Sequence, residues 1–188
     1  MRPLSFLKDR AFLSEMLTIA LPISFQQLIN ASLNMIDVIM VGQLGETSIA
    51  ALGLSNQVFF VFILLLFGLT SGMAIFTAQF WGKKEIDPIR KVLGMSLAIT
   101  SGIALLFTLA ATLMPRTVLG LYTHDKEVIE IGATYLSIVG FSYIPVAIAT
   151  SYIATLRSIQ LVKITVVATI SALIFKTILG YVLIFGMF

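Results

Sequence analysis

The chain has 188 residues, of which 59% are hydrophobic and 11% charged, and its mean hydropathy is +1.04. Soluble domains carry about a quarter charged residues, so this composition defines an integral membrane protein. The lack of cysteine excludes disulfides and thiolate metal sites, and a net charge of +3 carries no nucleic-acid signal. The expected fold class is all-α: a polytopic membrane helix bundle of about five transmembrane helices.

Arg2, Lys8 and Arg10 open the chain. They resemble the charged flank of a signal peptide. The apolar run behind them is too long for one, and no small-residue cleavage site follows, so a retained first span is expected. That span covers residues 13–41. It is long enough to cross a bilayer, yet it carries Gln26, Gln27, Asn30, Asn34 and Asp37. At 100° per residue Gln26, Asn30, Asn34 and Asp37 share an arc of roughly 80°, with Gln27 at its edge. The opposite face is Ile, Leu, Val and Met. A helix of this kind turns its amide stripe to protein or water, and an intramembrane carboxylate marks a functional site by default. The plainer reading is that the amides only bond neighbouring helices. Pro22 is expected to kink or loosen the helix near Thr18 to Ala20.

The loop GQLGETS (Gly42 to Ser48) has no Lys or Arg. The second span, residues 49–80, contains Gly68 and Gly72 in a GxxxG spacing that permits close helix approach. The connection Gly82 to Lys91 holds Lys83, Lys84, Arg90 and Lys91 and is the most basic in the chain. The third span, residues 92–114, has a small-residue face of Gly94, Ala98 and Gly102. The longest connection, Pro115 to Glu127, contains the only histidine, His124, read as a solvated surface residue. The fourth span, residues 131–156, is the most hydroxylated and includes Gly140 and Pro145. The fifth, residues 164–188, has Lys176 near its middle.

The N-terminus and the second and fourth connections together hold nine Lys and Arg, whereas the first and third hold two. The positive-inside rule then places the N-terminus in the cytoplasm. Asp37 and Lys176 are the intramembrane ionisable residues, with Glu15 at the inner interface. Each would cost a few kcal/mol facing lipid, so each is expected to face a cavity or a partner. Their estimated depths differ by about 10 Å. No enzyme site assembles: there is no HExxH, no G-x-S-x-G and no glycine-rich phosphate loop.

Several ordered stretches resemble one family. LPISFQQLINASLNMIDVIMVGQLGETSIAALGLSNQ is similar to the first helix and following loop of multidrug and toxic compound extrusion (MATE) transporters. SGMAIFTAQFWGKKEID resembles the end of their second helix, LYTHDKEVIEIGATYLSIVG the entry to the fourth, and GYVLIFG the end of the fifth. The resemblance spans about Arg10 to Phe188. It implies a twelve-helix, two-lobe fold of which this chain is the first part of one six-helix lobe, lacking its second lobe. It also implies export of organic, mostly cationic compounds in exchange for Na⁺ or H⁺, with no other cofactor. Asp37 would be the coupling or substrate residue, accompanied by Gln26, Asn30 and Asn34. Where the family often presents two asparagines on the fifth helix, this chain has Lys176 and Gly180. A lysine there would neutralise Asp37 or favour an anionic or zwitterionic substrate. The alternatives are a lipid-linked oligosaccharide flippase of related architecture and a non-transporting membrane scaffold. Partners implied are a small organic molecule, the lipid bilayer and the second lobe, with no nucleic acid.

Overall fold

A computed structural model describes residues 10–42 and 45–184. Among these the protein is all-α. The helices are α1 (Arg10–Gly42), α2 (Glu46–Gly82), α3 (Ile86–Leu113), α4 (Pro115–Gly120), α5 (Lys126–Val139), α6 (Tyr143–Ser158) and α7 (Val162–Ile184). A 3-10 turn, Gly140–Ser142, joins α5 to α6. Among the described residues three stretches are long and apolar enough to cross a membrane: α2, α3, and α5 with α6 taken together. The helices reach further than the apolar runs alone predict. Glu46 and Asp87 sit in the first turns of α2 and α3, where a carboxylate complements the helix dipole. Pro88 is tolerated in the first turn of α3, where no intrahelical N–H is needed. The basic connection accordingly shrinks to the turn at residues 83–85.

The chain divides into two compact units, Val38–Gln160 and Met1–Asp37 with Leu161–Phe188. In the first of these, α3 packs along α6, α2 against α3, α5 and α6, and α4 against α5. The contact face of α2 is Ala51, Ser55, Val58, Phe62, Leu66, Thr70 and Thr77, at helical spacing. Phe62 is fully buried and stacks on Tyr143 with ring centroids 4.8 Å apart; Phe107 meets Phe62 at 5.3 Å. Such aromatic pairs add about 0.5–1.5 kcal/mol beyond area burial. The Tyr143 hydroxyl is buried and has no hydrogen-bond partner among the described residues.

Between α3 and α6 the packing residues are small and hydroxylated. Ser96 Oγ donates to Ser151 Oγ at 3.2 Å, Ser151 and Thr100 hydroxyls lie 2.9 Å apart, and Thr100 donates to the Ser96 carbonyl at 2.8 Å. If each hydroxyl donates once, the order Ser96 to Ser151 to Thr100 to the Ser96 carbonyl satisfies all three. Small side chains let the helix backbones approach, and the hydroxyl bonds hold them there.

The fourth predicted span is one apolar stretch broken in two. Pro145 has no N–H to give the carbonyl of Phe141, so the helix tightens into the 3-10 turn just before it. The Tyr143 N–H and the Thr108 hydroxyl (3.0 Å) both donate to the Gly140 carbonyl. A Cβ on Gly140 would lie 2.8 Å from the Cβ of Ala111, so α3 rests directly on the break. Gly132 makes the second close approach: its Cβ would meet Leu119 Cδ1 at 2.8 Å. By contrast, a Cβ on Gly68, Gly72, Gly94 or Gly102 would meet nothing within 4 Å among the described residues.

One further departure from the sequence reading has a simple cause. Residues 115–120, read as loop, form α4, because Pro115 is pre-set for a first helical position and Leu119 is buried. Arg116 ties this short helix to α5 through Glu130 at 2.9 Å, and that carboxylate raises the guanidinium pKa further. The helix α1 runs as one element from Arg10 to Gly42, through Pro22.

Candidate functional site

The predicted site residues fall on the unit formed by α1 and α7. Along α1 the apolar face, Leu17, Leu21, Phe25, Leu28 and Met35, is exposed, as expected of a surface made for lipid. The polar stripe lies on the other side. Asn30 is half-buried, and Gln27 and Asn34 are exposed. Asn30 Nδ2 donates to Gln27 Oε1 at 3.4 Å, a long and weak bond. Asn34 has no side-chain hydrogen bond among the described residues. Among the described residues, the amides of Gln27, Asn30 and Asn34 therefore use few of their donors and acceptors.

Hydroxyls elsewhere on these helices behave differently. Thr18 donates to the Ser14 carbonyl (2.7 Å), Ser32 to Leu28 (2.9 Å), and Ser171 to Val167 (2.9 Å). Each is satisfied within its own helix, which lets it sit in an apolar setting at little cost. A glutamine or asparagine cannot close such a bond as readily, so its polarity is left for a neighbour or a ligand.

Lys176 is on α7 at an exposed position. Gln26 and Asp37 lie within α1, and Gly180 within α7, but the side chains of Gln26 and Asp37 and the surroundings of Gly180 are outside the described part. The same holds for Glu15. His124 is exposed in the connection before α5, as its sequence position suggests. No group of three or more His, Cys, Asp or Glu residues suited to a metal ion occurs among the described residues.

The sequence reading missed the hydroxyl chain Ser96–Ser151–Thr100, although Ser151 was recognised as part of a hydroxyl-rich span. Its signal is a small polar residue recurring at helical spacing in each of two apolar segments. It also gave no role to the groove of about 330 Å³ bounded by Val58, Leu106, Phe107, Val118 and Tyr122. Its walls are apolar and suit hydrocarbon rather than a polar ligand.

The long apolar helices and the amide-lined α1 define an integral membrane protein with a polar face built into its first helix. The MatE family profile matches residues 22–182, and the chain belongs to that family, one of membrane transporters and not of enzymes. It is 29% identical over 174 residues to a probable multidrug resistance protein NorM of Rhizobium meliloti, covering 92% of this chain and 37% of that protein. A probable NorM of Agrobacterium fabrum is 26% identical with the same coverage. An uncharacterized transporter, YisQ of Bacillus subtilis, is 26% identical over 81% of this chain and 33% of its own length. The chain thus spans little more than a third of the length of the curated relatives it matches. The resemblance read from its motifs is borne out.

Proposed function

We propose that this chain is part of a cation-coupled antiporter that exports organic, mostly cationic compounds across the cytoplasmic membrane, with its N-terminus inside. The observation that carries the reading is the amide stripe of α1, whose Gln27, Asn30 and Asn34 make a single weak side-chain bond among the described residues, on a helix whose described apolar face is exposed. Membership of the MatE family supports it, as do the relatives named as multidrug resistance proteins.

In this mechanism Asp37 exchanges a proton or Na⁺ at the end of the stripe. Occupancy would shift the balance between inward- and outward-open states to the extent that the ion binds one state better. The amides of Gln26, Asn30 and Asn34 offer both donors and acceptors, which suits varied organic substrates. Lys176 and Gly180 replace the amides expected on the fifth span. A cation at Lys176 would weaken cation binding near Asp37 and widen acceptance toward zwitterions or anions.

The test is substrate efflux from vesicles containing the transporter, driven in turn by an imposed Na⁺ or proton gradient. Asp37→Asn is expected to abolish gradient-driven export. Lys176→Asn is expected to shift preference toward more cationic substrates. Gradient-driven export that survives Asp37→Asn would overturn the coupling role. An unchanged substrate preference in Lys176→Asn would remove that residue from the site.

A further inference from the structure

We propose that the turn between α2 and α3 is a binding surface for the headgroups of anionic phospholipids. The turn joins two of the most apolar helices and is only three residues long, residues 83–85, so its side chains follow directly on the ends of two candidate membrane spans. Every residue from Trp81 to Asp87 is exposed. Trp81, at the last turn of α2, presents an indole where such rings favour the boundary between hydrocarbon and water.

The charges on this surface are unequally committed. Arg90 pairs with Asp87 at 3.6 Å. Lys83, Lys84 and Lys91 have no side-chain partner among the described residues, and Glu85 is the one carboxylate left beside them. Three cations against one anion leave an excess of positive charge beside the ends of these spans.

Backbone geometry points the same way. Glu85 N–H donates to the Phe80 carbonyl and Lys84 N–H to the Trp81 carbonyl, which together close the α2 C-terminus in a Schellman motif. The residue in the left-handed position of that motif is Lys84, with φ of 59°, where glycine is favoured. The left-handed position of this turn is thus filled by a residue that adds a cation rather than by glycine. Zwitterionic headgroups would gain little from the arrangement. An anionic headgroup gains a charge-assisted contact with each lysine it meets.

Trp81 is the only tryptophan of the chain and stands two residues from Lys83, so it reports on the lipids at this surface. The experiment places the whole chain in phosphatidylcholine vesicles doped with a small, equal fraction of lipid brominated near the interface. The brominated species is either phosphatidylglycerol or phosphatidylcholine, and quenching of Trp81 is read for each. Brominated phosphatidylglycerol is expected to quench several-fold more effectively, with the advantage falling as salt is raised. Lys84→Gly, which suits the left-handed backbone and preserves the fold, is expected to lower the advantage part-way. The triple variant K83Q/K84Q/K91Q is expected to abolish it, and K83R/K84R/K91R to keep it. Equal quenching by the two lipids in the native chain would overturn the proposal. So would an undiminished advantage in both Lys84→Gly and the triple glutamine variant.

Discussion

The unit of residues 38–160 and the α1–α7 unit solve the same problem in opposite ways. Each must carry polar side chains on helices made for lipid. In the first, Ser96, Thr100 and Ser151 spend their hydrogen bonds on one another and on backbone, and Thr108 adds a second bond to the Gly140 carbonyl at the 3-10 turn. In the second, Gln27 and Asn30 share one bond of 3.4 Å, and Asn34 has none among the described residues. Polar groups that satisfy each other fix a structure; polar groups left unsatisfied are available for a ligand. The contrast separates helices whose polar groups satisfy one another from the stripe proposed above as the working surface.

Breaking the scaffold should cost most where backbone meets backbone. Gly140→Ala puts a methyl group 2.8 Å from the Cβ of Ala111, and neither atom belongs to a flexible side chain. The expected loss is about 1–3 kcal/mol, read as a lower midpoint in denaturant or thermal unfolding in detergent. Gly132→Ala should cost less, because the atom it meets is the far end of Leu119. Equal losses for the two would show that the break between α5 and α6 is not held by α3.

Ser151→Ala removes the hub of the hydroxyl chain. Interhelical hydrogen bonds of this kind are worth about 0.6 kcal/mol on average in membranes, and two are lost, so the expected cost is about 1 kcal/mol. A double-mutant cycle with Ser96→Ala should show coupling between the two positions. The smallest effect is expected for Tyr143→Phe. The hydroxyl it deletes has no partner among the described residues, so stability should stay within about 1 kcal/mol of the parent and lean upward. A clear loss would mean that the hydroxyl has a partner, such as a buried water.

Much of this division was legible in the sequence, and the rest was hidden for physical reasons. Composition and apolar run length are enough to announce a helical membrane protein, because lipid leaves the backbone few other ways to satisfy itself. The amide stripe of α1 is legible too, because helical periodicity alone puts those residues on one side. The close-packing glycines were harder to pick out. Gly68, Gly72, Gly94 and Gly102 have the spacing of a packing face and meet nothing within the described residues, whereas Gly132 and Gly140 bear the close contacts. Spacing shows that a helix can be approached, not that it is. The short α4 was lost because hydropathy marks where apolar runs stop, not where helices do. Pro145 announced a bend, but that the turn sits at Gly140–Ser142 depends on Thr108 and Ala111 of another helix.

This chain contributes no cysteine of its own, so in a transporter containing it, and cleared of any cysteine elsewhere, single cysteines introduced here make the central contrast measurable. The measurement is the rate of labelling by a membrane-impermeant maleimide in a transporter containing this chain, with cysteine at Asn34, at Ser151 and at the exposed apolar position Leu28 in turn. A water-accessible working stripe predicts rapid labelling at Asn34 only, slowed by a transported cation, with Ser151 and Leu28 inert. Labelling at Asn34 no faster than at Leu28 would place the stripe in lipid or in packed protein, and the account of α1 as the working surface would be wrong.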